Sequence, residues 1–431
     1  MEHSQELRAG AGKAVVAIGE EILPIEGFTA VRDPLHVRVL ILEKEIRTVI
    51  VSVEITSLFD SILENMLQRL CALTGAEREN VWIAATHSFA GPHLWPAEEL
   101  SKRKLKDGRE LTPEEAERCA CLGRAYFAAL EQAAETALSR MQKAVIGADR
   151  GVCTVAASRN ICTRDGWWLG TDSEEPCDHG LTVLRVDGID GTPLALLYTY
   201  GVRSCVMMHS KTEEGGRLIS SDLCGVTSAE LEKEFGGVFV ALFLCGAAAD
   251  QEPQFKSKQT EVDKNGDLRT WDYGPVGGVL LDAQVQRLKA TVLKIWRRTE
   301  RHADVGEIRA GSRTYRCPMK KMGQTAALTH PTREAVFEPA GESELTVYAL
   351  RLGVMNLIGV QPEIDSVTSV RLAQAVPGEI TAAAIQVNGG GKCMPERGAY
   401  EQVKYQSLNS PFQAGCAELT CETAADLLRS L

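Results

Sequence analysis

Short, nearly unbroken apolar runs recur along this chain and constrain its fold more than any other feature. They include VRVLILE (37 to 43), RTVIVSVE (47 to 54), VWIAAT (81 to 86), LTVLRV (181 to 186), PLALLYTYG (193 to 201) and VFVALFLCG (238 to 246). Each is rich in Val, Ile and Leu and too short for a helix, so each reads as a strand buried on both faces. The first two flank a polar turn and read as a hairpin. LTVLRV and PLALLYTYG pair around DGIDG, and LTVYALRLG with VMNLIGV (345 to 360) forms a last pair. Such strands need cover on both sides. Amphipathic segments can supply it. SLFDSILENMLQRLCALTG carries apolar residues at helical spacing and stops at Gly75. Thr112-Pro113-Glu114-Glu115 is a capping box that launches a helix to about Lys143, and VLLDAQVQRLKATVLKIWRR is a third. Residues 254 to 273 are polar without periodicity and read as a long surface loop. No repeat or linker divides the chain. The expectation is one α/β domain over 1 to 431, with mixed β-sheets flanked by helices.

Charge narrows the function. A net charge of -11 offers no basic excess to neutralise phosphates, so nucleic acid is not an expected partner. Thirteen cysteines lie scattered without CxxC pairs, which suits a reducing compartment. MEHSQELRAG lacks the apolar core of a secretory leader, and no run reaches membrane-spanning length. A cytoplasmic protein with a small-molecule substrate and no membrane partner is expected. A homo-oligomer is left open.

Chemistry should lie in the loops that follow the strands. Four stand out: THSFAGPH (86 to 93), ISSDLCG (219 to 225), GAAADQEP (246 to 253) and QPE (361 to 363). The first holds two of only eight histidines, His87 and His93. His87 and Glu363 are ordinary zinc ligands, and a catalytic zinc needs three protein ligands and an open position. The alternative for His87 is a hydrogen-bonded loop imidazole. Asp222 and Asp250 either orient ligands and act in catalysis, or cap the helices that follow. Trp167 and Trp168 either wall a cleft or cover core, the second being the commoner use.

Taken in order, these segments resemble the neutral/alkaline ceramidases and their shorter bacterial relatives. The family pattern A-T-H-T-H-S-G-P is met by ATHSFAGP (85 to 92), I-S-x-D-x-x-G by ISSDLCG, and G-A-x-G-D-x-x-P by GAAADQEP, with Ala249 in place of Gly. GVQPE answers G-V-P-x-E and ends in Glu363. Tyr405, in AYEQVKYQ, matches a tyrosine beside the scissile amide. The resemblance runs from about Gly10 to the end and implies the ceramidase-type catalytic domain without the C-terminal sandwich domain. It implies a zinc-dependent hydrolase of amide bonds, with Zn2+ held by two histidines, a glutamate and a tyrosine.

Carried over singly, His87 and Glu363 match as metal ligands. The second histidine aligns with Arg203, and His209, six residues on, serves only if the chain carries an insertion. The tyrosine ligand becomes Cys393, whose thiolate is a sound zinc ligand. The second histidine of the first loop, a substrate contact, becomes Phe89. Arg159 falls close to a family arginine that faces the pocket. Arg203 would repel a divalent cation and would instead suit a carboxylate or phosphate on a substrate. Two readings follow. One is a zinc amidohydrolase of a small soluble N-acyl substrate, with Tyr405 stabilising the oxyanion. The other is a metal-free relative that binds a small anion through Arg203 and Arg159, or runs lyase or isomerase chemistry on Asp222 or Tyr405.

Overall fold

A computed structural model describes residues 6 to 100, 108 to 321 and 329 to 431. The first five residues of MEHSQELRAG lie outside the described residues.

The apolar runs become strands. Eight of them join into one sheet, in the order Val240–Cys245, Pro193–Tyr200, Gly180–Gly188, Gln142–Val152, Arg8–Val15, His36–Glu43, Arg47–Val53 and Val81–Ala85. Neighbours are antiparallel except at the two ends, where Pro193–Tyr200 runs parallel to Val240–Cys245 and Arg47–Val53 parallel to Val81–Ala85. In the middle the sheet is barely continuous: among the described residues only Arg8 with Lys143 and Ala9 with Gln142 pair across the junction. The two halves therefore fold over and pack face to face. Leu40, Ile50 and Trp82 from one half meet Leu184, Leu197 and Leu242 from the other in a single core, and the Ser52 hydroxyl donates to the Phe243 carbonyl across it at 2.6 Å.

A four-stranded sheet, Arg309–Lys320, Pro339–Arg351, Asn356–Val360 and Thr381–Ala384, extends the second half. The Ile385 amide donates to the Cys245 carbonyl at 2.8 Å and stitches the two together. Helices cover both outer faces. Asp60–Thr74 and Pro113–Ser139 pack on Val39, Ile41, Val51 and Ile83. Asp222–Phe235, Gly277–Arg298 and Cys416–Ser430 close the opposite side. The layering is helix, sheet, sheet, helix, which explains why the central strands are apolar on both faces. A Cβ on Gly12 would strike the Ala133 carbonyl, so that glycine lets the alanine-rich helix lie flat on the sheet.

Local signals read as expected. Thr112 and Glu115 form the reciprocal capping box, and Gly75 ends its helix with φ 68°. Two boundaries are corrected. The helix expected to reach Lys143 stops at Ser139, because Gln142 already belongs to a strand. The stretch expected as a loop from 254 to 273 contains a hairpin, Lys258–Val262 with Leu268–Asp272. Its Asn265-Gly266 turn, with Gly266 at φ 81°, was a readable signal. Among the described residues no helix is long and apolar enough to cross a membrane.

Candidate functional site

Three backbone ladders bring distant loops together. Ser88 bridges Ser204: the Phe89 amide donates to the Ser204 carbonyl at 2.9 Å, and the Ser204 amide to the His87 carbonyl at 3.2 Å. This sets His87 beside Arg203. Glu363 and Ile364 pair with Cys393 and Met394 in a short parallel ladder, which places Cys393 next to Glu363. The Ala249 amide donates to the Ile364 carbonyl at 3.1 Å, and the Arg159 amide to the Asp250 carbonyl at 2.8 Å. His87, Arg159, Arg203, Glu363 and Cys393 are thus gathered by main chain before any side chain acts.

At the centre, the Arg203 guanidinium ion-pairs the Glu363 carboxylate. Its Nε donates to the Ala248 carbonyl at 3.0 Å. His87 Nε2 lies 3.3 Å from the same carboxylate oxygen without a hydrogen bond to it. The other ring nitrogen, Nδ1, lies 2.9 Å from the Thr56 carbonyl and 3.1 Å from the Gln386 amide. With its proton on Nδ1, the neutral ring donates to the Thr56 carbonyl and presents a lone pair at Nε2, which has no hydrogen-bond partner. Cys393 Sγ stands 3.7 Å from Glu363. Burial opposes charge on Glu363, but Arg203 and then His87 hold its carboxyl well below the usual carboxylate range. Burial, then Glu363, pushes the Cys393 thiol up to about 12, so it stays protonated. Arg203 is shifted up: burial works against its charge, and Glu363 more than restores it.

A rim surrounds this centre. The Phe89 ring packs edge-on to His87 at 4.6 Å, and Arg203 lies 5.4 Å over it. Tyr405 meets Trp168 edge-on at 5.5 Å, with Arg159 5.8 Å above the Tyr405 ring. Trp168 and Trp167 are half-buried, and Lys404 sits 4.6 Å over Trp167. They line the rim rather than fill core, contrary to the commoner expectation.

Other candidates fall elsewhere. The Asp222 carboxylate accepts the amides of Val206 and Met207 at 2.9 Å each and of Leu223 at 2.6 Å. The Asp250 carboxylate accepts the Ser366 amide at 2.9 Å and its hydroxyl at 2.6 Å. Their oxygens are spent on holding the loops after Arg203 and Glu363. His209 is corrected as a ligand: it is exposed, and the charges acting on it belong to Lys258, Arg217, Lys256 and Asp272. His93 pairs with Glu26 at 2.8 Å on the surface.

The expected zinc ion does not fit these residues. A cationic guanidinium already neutralises Glu363, and a second cation there would be repelled. Among the described residues no group of three His, Cys, Asp or Glu side chains has the geometry to hold a metal. Gln386 is the functional neighbour that sequence reasoning missed. It adopts φ 52°, as His87 adopts 57°, so two non-glycine residues in contact at this site are in the left-handed region that such residues rarely occupy.

No family profile and no curated protein matches the chain. Among solved structures, it is similar to the neutral ceramidase from Pseudomonas aeruginosa, at TM-score 0.71 and 19% identity, over 100% of this chain and 75% of that one. A ceramidase complexed with C2 aligns at TM-score 0.73 and 18% identity, over 99% and 76%. Helix, sheet, sheet and helix thus follow a known arrangement from end to end: the chain has the neutral-ceramidase-like fold.

Proposed function

We propose that the chain hydrolyses the amide bond of a small soluble N-acyl substrate without a resident metal. The observation that carries this reading is the place of Arg203, whose fixed positive charge stands against Glu363 beside His87 Nε2, a ring nitrogen with no hydrogen-bond partner. The fold shared with two ceramidases supports amide chemistry.

In the reaction, water adds to the carbonyl carbon as His87 Nε2 takes its proton. Negative charge gathers on the carbonyl oxygen. Arg203 has one terminal nitrogen on Glu363 and Nε on Ala248; its other terminal nitrogen and the Tyr405 hydroxyl would donate to that charge. The carbon–nitrogen bond then breaks as the imidazolium returns the proton to the leaving nitrogen. A carboxylic acid and an amine result. Glu363 holds Arg203 in place and steadies the transient charge on His87. The Phe89 ring, packed against His87 and Arg203, would embrace the acyl part.

The test is turnover of a panel of N-acyl amines in 18O-water by protein dialysed against chelator. One heavy oxygen in the acid product, at a rate that chelation leaves unchanged and His87→Ala abolishes, supports the reading. Activity that chelation removes and zinc restores would return the metal mechanism. Product without solvent oxygen would mean lyase or isomerase chemistry, and tight binding without turnover a binding protein.

A further inference from the structure

The charges at this centre do not balance. Arg159 is 7% exposed, yet among the described residues no carboxylate lies within ion-pair distance of its guanidinium. One terminal nitrogen donates to the Ala249 carbonyl at 3.2 Å, and its Nε is buried with no hydrogen-bond partner. Burial, and then the like charge of Arg203, lower its pKa. An unpaired buried guanidinium is costly, and a site keeps one only when something else neutralises it. Glu363 is taken by Arg203, and Glu252, the other carboxylate acting on Arg159, is paired with Lys256 and accepts the Thr171 hydroxyl at 2.8 Å. Arg203 and Arg159 thus face a single carboxylate, Glu363, which Arg203 already occupies, and the Arg159 charge stands unanswered.

We propose that Arg159 receives a carboxylate carried by the substrate, so that the amides this site takes are singly anionic, of the N-acylated amino-acid type. This inference rests on the site being one for amides. One excess charge matches a carboxylate; a phosphate monoester brings nearly two. The planar guanidinium, with Nε and a terminal nitrogen side by side, suits a carboxylate's two oxygens. The Tyr405 ring under Arg159 fixes the fork at the rim, so the carboxylate would bind there while the acyl carbonyl reaches Arg203 and His87.

Calorimetric titration of the whole protein with 4-oxopentanoate tests this directly. That ketone copies an N-acetylated glycine but has no amide to cleave. Its neutral counterpart is 5-hydroxypentan-2-one. Wild type should bind the acid at least ten-fold more tightly, Arg159→Gln should bind the two alike, and Arg159→Lys should retain part of the preference. Equal binding by wild type, or a preference that survives in a folded Arg159→Gln, overturns the proposal. Should that variant fail to fold, wild type and Arg159→Lys still decide it. Inorganic phosphate binding more tightly than 4-oxopentanoate would overturn the choice of a carboxylate. Turnover plays no part in these titrations. A missing 18O label sinks hydrolysis and leaves this subsite standing, whereas equal binding sinks the subsite alone.

Discussion

Arg203 and Glu363, 160 positions apart, form an ion pair in which both side chains are nearly buried, at 12% and 11% exposure. Removing one partner of a buried pair strands the other's charge. Arg203→Ala should therefore cost about 3–5 kcal/mol of folding stability, read as a lowered urea midpoint. The same interaction sets a pH limit. Because the Glu363 pKa is depressed in the folded state, its contribution is complete above the unfolded value of about 4.3 and is lost as pH falls through the folded one. The stability gap between wild type and Glu363→Gln should thus shrink as pH is lowered below about 4. A gap constant through that range would contradict the assignment.

Replacing the guanidinium should change what the centre binds. Arg203→His removes the resident positive charge and adds a donor near His87, Glu363 and Cys393. This variant should take up zinc near one equivalent by elemental analysis, and wild type should remain substoichiometric. Equal metal content in both would mean that Arg203 does not decide occupancy.

A second buried carboxylate acts with the opposite sign. Burial, then the neighbouring Asp250, pushes Asp365 up to about 7. Its folded pKa lies above the unfolded value of about 4, so the folded state binds the extra proton between them and stability falls as pH rises through that window. The slope from this group is about 1.4 kcal/mol per pH unit at most. Asp365→Asn should flatten the stability profile between pH 4 and 7, measured by urea unfolding.

Cys393 should be chemically quiet. With its thiol pushed up to about 12 and its surface covered, it should resist iodoacetamide at pH 8 in the native protein, whereas exposed Cys162 should react. Peptide mass spectrometry before and after denaturation distinguishes the two. Rapid native labelling of Cys393 would show a thiolate.

Tyr405 offers a kinetic test. On any amide the protein turns over, Tyr405→Phe should lower kcat by about 10²- to 10³-fold, the scale of losing one oxyanion donor. The ring contacts with Trp168 and Arg159 survive that change, so the melting temperature should hold. An unchanged kcat removes the hydroxyl from the reaction.

Much of the scaffold is legible along the chain. Strands buried on two faces announce themselves as continuous apolar runs, and Thr112 with Glu115 or Gly75 mark helix ends through contacts a few residues away. His87 and Glu363 were also readable, since both sit in loops directly after strands. Arg203 was placed by its resemblance to a family position, but its pairing with Glu363 depends on contacts across the whole fold. Nothing near Gln386 marks it as a neighbour of His87, because that contact spans 299 positions and follows an unremarkable alanine-rich strand. Asp222 and Asp250 looked like reactive groups for the same reason they make good anchors: a short carboxylate in a loop finds backbone amides as readily as a substrate.

The thin seam in the eight-stranded sheet has a further consequence. His87 hangs from one leaf and Arg203 from the other, and among the described residues the leaves are joined along the sheet by two paired positions and at the site by the Ser88–Ser204 bridge. A slip of one strand residue, about 3.3 Å, is as large as the gap between imidazole and carboxylate itself. The centre therefore works as a vernier on interleaf alignment, and no fragment holding a single leaf can inherit its chemistry.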